Sequence, residues 1–303
     1  MTADLSTWAI IAAVNRWALY ALMLISVGSA LFALLTPAPL TIIEIARRTA
    51  RIAAPIAAVS FLLSVGFGGA EIMTGGIEML FSFGTWSMGA DTSLGRSAAI
   101  GIPSMLFLWA SYTWKVPALA VVGALGGVLS FLVTGHAATA APVWLTASAV
   151  AIHILGASYW IGALYPLYRA TRDLDAMEAG AILTTFSYRA VAAVAAIVVS
   201  GIVISWVQLG ELERLLSTTY GLRLTIKLAL FVTLLGLAGY NKQFLTPRIV
   251  SGSREAALQL STIIRLEYFL IVFVLAAAVS LTMTEPPRAQ NKTAAIEVSH
   301  HEH

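Results

Sequence analysis

The chain carries eight stretches of about 20 predominantly apolar residues, and that repetition restricts its fold more than any other feature. At about 1.5 Å of rise per residue, such a stretch crosses the roughly 30 Å hydrocarbon layer as a helix. Lipid offers no hydrogen bonds to the backbone, so a spanning segment must satisfy its own peptide groups. The expected spans run near 17–36, 51–71, 96–114, 116–135, 147–168, 186–208, 221–240 and 263–284. Charged loops and Pro37, Pro39, Pro142, Pro247 and Pro286 mark their boundaries. The tightest connection joins the third and fourth spans, where only Trp114, Lys115 and Val116 precede Pro117. Composition agrees: 59% of the 303 residues are hydrophobic and 11% charged, with a mean hydropathy of +0.85, outside the range of soluble domains. The sequence therefore predicts an all-α fold, a polytopic membrane bundle of about eight transmembrane helices.

The placement of cations sets an orientation. Arg47, Arg48, Arg51, Lys115, Arg169, Arg172, Arg189, Lys242, Arg248, Arg254 and Arg265 fall on one face, and Arg16, Arg96, Arg214, Arg223, Lys227, Arg288 and Lys292 on the other. The richer face is expected to be cytoplasmic, which puts both termini in the periplasm. These cations sit in short loops and the net charge is only +3, so the pattern is that of membrane topology and excludes a nucleic-acid footprint. The absence of cysteine removes disulfides, thiolate metal sites and iron–sulfur clusters. The amino terminus lacks a basic n-region and the first apolar run is longer than a signal-peptide core, so this run is expected to stay in the mature protein. Residues 1–287 read as one membrane domain, and 288–303 as a polar tail ending SHHEH.

His153 is the informative polar residue, because it lies inside an apolar span, where an ionisable group is costly. Counting from Ala147 places it roughly 10 Å below the periplasmic end of its helix. Gly156, Ala157 and Trp160 share its stripe, giving small residues that admit a neighbouring helix and an aromatic floor beneath. His136 ends the preceding span on the same side, and a short connection through Pro142 brings the two imidazoles near one another. Imidazole suits copper, zinc, iron or nickel, so the pair does not choose among them. Further donors are offered by Glu71, Met73, Glu78, Met79, Met88 and Asp91 in a Gly-rich external segment. Thioethers favour Cu(I) and carboxylates tolerate Cu(II), although Met is also ordinary apolar filler. His300, His301 and His303 in the tail are a second means of metal capture.

At the other face, Asn241, Arg265 and Glu267 form an expected polar network, with a structural Arg–Glu pairing across helices favoured over proton transfer. Lys227 reads as a snorkelling cation, and Gly123 with Gly127 as a close-packing helix motif. No P-loop, dinucleotide fingerprint or HExxH sequence occurs, and no enzymatic activity is expected.

Six segments in order now resemble a known family. They are GHA (Gly135–Ala137), H-x6-W-x-G (His153, Trp160, Gly162), FSYRAVAAVAAIVVSGI (Phe186–Ile202), TYGLRLTIKLAL (Thr219–Leu230), NKQFLTPR (Asn241–Arg248) and a final RLEY helix ending in EPP. Together they resemble the bacterial copper resistance protein D family, CopD, over about Gly135 to Pro287. The resemblance implies an eight-span inner-membrane protein that moves copper between periplasm and cytoplasm or supports periplasmic copper handling, often beside a CopC-type copper-binding partner. It implies His136 and His153 as the copper-facing pair, Trp160 and Gly162 as site-shaping residues, and Asn241 and Glu267 as family-pattern positions. Glu71, Met73 and Met79 rest on donor chemistry alone.

Three readings follow: a copper importer, a copper-binding membrane protein that does not translocate, and a b-type haem protein in which two histidines ligate iron. The short connection between His136 and His153 makes coaxial haem ligation awkward.

Overall fold

The computed structural model describes residues 7–73, 77–135 and 140–289. Every described regular element is helical, and seven of the eight expected spans coincide with a helix over nearly their whole length. The first hairpin pairs α1 (Thr7–Leu35) with α2 (Leu40–Ile72), broken by Pro37 and Pro39. A 3-10 turn (Ile77–Phe81) and the short α3 (Phe83–Ala90) lead to α4 (Ser93–Trp114). Thr92 caps α4 by accepting hydrogen bonds from the amides of Leu94 and Gly95. Lys115 then takes a left-handed conformation at φ 58° and Pro117 opens α5 (Pro117–Leu129), so Lys115 and Val116 alone connect the two helices.

The longer helices complete the bundle: α6 (Val143–Asp173), α7 (Ala176–Leu209), α8 (Thr219–Tyr240) and α9 (Arg254–Thr282). Asp175, Thr218 and Ser253 cap the last three through side-chain oxygens. α8 runs on through a π-helical turn at Asn241–Leu245 and a further turn at Thr246–Val250.

Six helical segments are long and apolar enough to cross a membrane. The expected span 116–135 is cut short: α5 has 13 residues, about 20 Å of helix. The reason is local. Ser97 of α4 donates to the Ser130 carbonyl and Ser130 donates to that of Gly127, satisfying helix-terminal acceptors early.

α1 and α2 form the centre, with Val27, Ala30, Phe32, Ala46, Ala54 and Phe61 buried. Asn15 of α1 donates to the Ser60 carbonyl and to Ser64 on α2, pinning the hairpin's register. α7 and α8 instead display Val191, Val199, Ile202, Ile226 and Val232 outward. Such an apolar exterior on the longest helices suits lipid contact. α5 packs on α4 where Gly123 leaves no room for a side chain against the Ser104 carbonyl and Leu108, as the GxxxG motif predicts.

Candidate functional site

The antiparallel α6 and α7 position His153. α6 begins at Val143, four residues earlier than the expected span, so His153 lies ten residues in, about 15 Å from the helix start rather than 10. One turn below, Gly156 packs on α7: a Cβ there would approach the Ala193 carbonyl oxygen to 2.9 Å and the Ile197 side chain to 2.9 Å. This close approach brings the imidazole within reach of the α7 backbone. Nδ1 lies 3.1 Å from the Ile197 carbonyl oxygen and 3.2 Å from Ser200 Oγ.

That geometry selects a tautomer. A carbonyl only accepts, so Nδ1 carries the proton and donates it. Ser200 is compatible, since its own hydroxyl donates to the Ala196 carbonyl at 2.5 Å and leaves its lone pairs for Nδ1–H. Nε2 is therefore the lone-pair nitrogen, and it has no hydrogen-bond partner among the described residues. A neutral imidazole held through its far N–H is the arrangement by which proteins orient a histidine ligand for a metal.

The surroundings of the ring differ in part from the sequence reading. Trp160 is buried two turns further along and meets Phe231 of α8 edge-on, with ring centroids 6.3 Å apart. It forms the aromatic layer beneath the histidine. Gly162 serves a different contact, where α6 meets α1 backbone to backbone, and Ser29 donates to its carbonyl at 3.4 Å. Lys227 of α8 is near enough for its charge to act on His153, and it has no ion-pair partner among the described residues. Lys227 reads in the sequence as a snorkelling cation, and Ile197 and Ser200 are partners that sequence reasoning does not single out. The latter two lie in the IVVSGI segment, whose Ser-Gly pair inside an apolar run was the available signal.

Other expected donors are dispersed. Glu71 and Met73 end α2 with exposed side chains, and the Met73 sulfur accepts a hydrogen bond from Thr85 Oγ1 at 3.4 Å. Met79 is half-buried in the 3-10 turn. No hydrogen bond joins any of them to His153, and among the described residues no three His, Asp or Glu side chains gather as a metal cluster. His136, His300, His301 and His303 lie outside the described residues.

The polar network is rearranged. Asn241 Nδ2 donates to Glu267 Oε1 at 2.8 Å, and Glu267 is 3% exposed. Arg265, two residues away on the same helix, points in a different direction: it is exposed and bonds Thr262. The expected Arg–Glu pairing is not formed, because residues two apart on a helix do not share a face. Depth is corrected as well. α9 starts at Arg254, so Glu267 lies thirteen residues in, near the middle of a 29-residue helix rather than at its end.

Fold and site together describe a polytopic helical membrane protein with an imidazole held at the seam between α6 and α7. Residues 180–281, about a third of the chain, match the family model CopD, copper resistance protein D. The matched segment holds Ile197, Ser200, Lys227, Asn241 and Glu267, while His153 lies N-terminal to it. No curated protein and no solved structure matches the chain.

Proposed function

We propose that this protein binds copper through His153 near the periplasmic face of the bacterial inner membrane and passes it inward, with His136 as the second imidazole. Copper is the cargo, delivered by a soluble CopC-type protein and first concentrated by the histidines of the tail. On this reading eight helices cross the membrane and both termini are periplasmic. The observation that supports it most is the orientation of His153: Nδ1–H is committed to the Ile197 carbonyl and Nε2 is left open. Two neutral imidazoles suit Cu(I), whereas Cu(II) needs more donors. Glu71, Met73 and Met79 would supply those at the mouth, where Glu71 and Met73 are exposed.

The test is metal content and Cu(I) affinity of purified protein ending at Pro287, so that tail histidines do not contribute. Copper retained by this form and lost from a His136→Ala, His153→Ala double variant is the expected result. Equal copper in both, or a haem Soret band in either, would overturn the assignment. Copper uptake into proteoliposomes then separates an importer, which loads the lumen, from a protein that binds copper without moving it.

A further inference from the structure

The Asn241–Glu267 contact poses a problem that the copper reading does not address. Glu267 is buried at mid-bundle and its one hydrogen-bond donor is a neutral carboxamide. No Lys, Arg or His among the described residues pairs with it. Two phenols lie on this side of the bundle: Tyr268, its neighbour on α9, and Tyr165 of α6, whose backbone Tyr268 contacts. An ionised carboxylate so placed would be a buried charge without a counter-ion.

Its partner has the complementary deficiency. Asn241 Oδ1 is buried and accepts no hydrogen bond from any of the described residues. It is an acceptor without a donor, beside a carboxyl group that lacks a proton to donate only if it is ionised. The π-helical turn that starts at Asn241 holds this residue against α9, with Thr246 donating through both its amide and its hydroxyl to the Asn241 carbonyl. π turns of this kind recur at functional positions within helices.

We propose that Glu267 and Asn241 form a proton-binding site within the membrane. The proton sits on the Glu267 carboxyl, which donates it to Asn241 Oδ1 while accepting from Asn241 Nδ2. One proton removes the uncompensated charge and satisfies the orphan acceptor, and a carboxyl paired with a carboxamide in this way has complementary donors and acceptors on both sides. Binding is H⁺ plus carboxylate giving carboxylic acid, with no other reactant. Intramembrane carboxyl groups inside a bundle commonly serve in proton movement. The site is separate from the histidine and stands whether or not the protein carries copper.

Infrared spectroscopy of the full-length protein at neutral pH tests it. The difference between wild type and Glu267→Gln should show the carbonyl stretch of one protonated carboxylic acid, shifted on exchange into D₂O. Gln preserves the shape and offers an N–H to Asn241 Oδ1, so this variant is expected to fold. Loss of a carboxylate stretch instead would mean that Glu267 is ionised and would overturn the proposal. Asn241→Val leaves the acid in place without its partner. The same carbonyl band should then move to higher frequency, and a band unmoved by this change would show that the proton is not shared with Asn241.

Discussion

Gly28 of α1 and Gly162 of α6 meet with no side chain between them: a Cβ on Gly28 would overlap the Ser158 carbonyl, and one on Gly162 would overlap the Gly28 backbone. Because the obstacle is backbone, no rotamer change relieves it. Gly28→Ala and Gly162→Ala should each force the two helices apart, costing about 1–3 kcal/mol or more. Thermal unfolding in detergent should show a lowered Tm for both, and an unchanged Tm would disprove the close approach.

Arg254, at the start of α9, donates to the carbonyls of Thr171, Arg172 and Leu174 at 2.7–3.0 Å. These are orphan acceptors at the C-terminal end of α6, where a cation is also favoured by the helix dipole. Arg254→Ala should cost about 1–2 kcal/mol. Lys can restore the charge but not the fork, so Arg254→Lys should recover only part of that stability in a denaturation series. Full recovery would mean that charge alone matters here.

The orientation of His153 depends on two acceptors of unequal weight. Ser200→Ala leaves the Ile197 carbonyl in place, so copper affinity should fall by about tenfold or less. Gly156→Val should do more, about 10–100-fold, because it pushes α6 away from α7 and separates Nδ1 from that carbonyl. Competition titration with a Cu(I) chelator measures both. A reversed order of effects would show that the serine, not the backbone, fixes the ring.

Lys227 lies near the proposed copper site, and its ammonium, when protonated, opposes a cation at His153. Lys227→Met should therefore tighten copper binding, on the order of tenfold if the charges interact through an effective dielectric near 20. Weakened binding would instead assign Lys227 a supporting role, such as holding an anionic co-ligand of the metal.

Much of this was legible in the sequence, for identifiable reasons. Length and apolarity located every long helix, and prolines such as Pro39 and Pro142 marked where two of them start. The early end of α5 was not legible, because it depends on a hydroxyl of α4 reaching across to Ser130. The intramembrane position singled out His153, but one partner is a backbone carbonyl, which carries no signature in sequence, and the other a serine marked only by the Ser-Gly pair in its apolar run. The sequence places Arg265 and Glu267 in one polar group with an Arg–Glu pairing across helices. Helix geometry sends them to different faces, and the real partner, Asn241, is 26 residues away.

The hydrogen bond from His153 to the Ile197 carbonyl crosses from one helix to another, so it reports their relative axial position. A slide of α7 along α6 by one helical turn, about 5.4 Å, would carry that carbonyl out of range. The ring proton would then be free to move to Nε2, where it occupies the lone pair that a metal needs. Helix register and ligand availability are in this sense one coordinate, and any motion that opens the seam between these helices also loosens the grip on the ion.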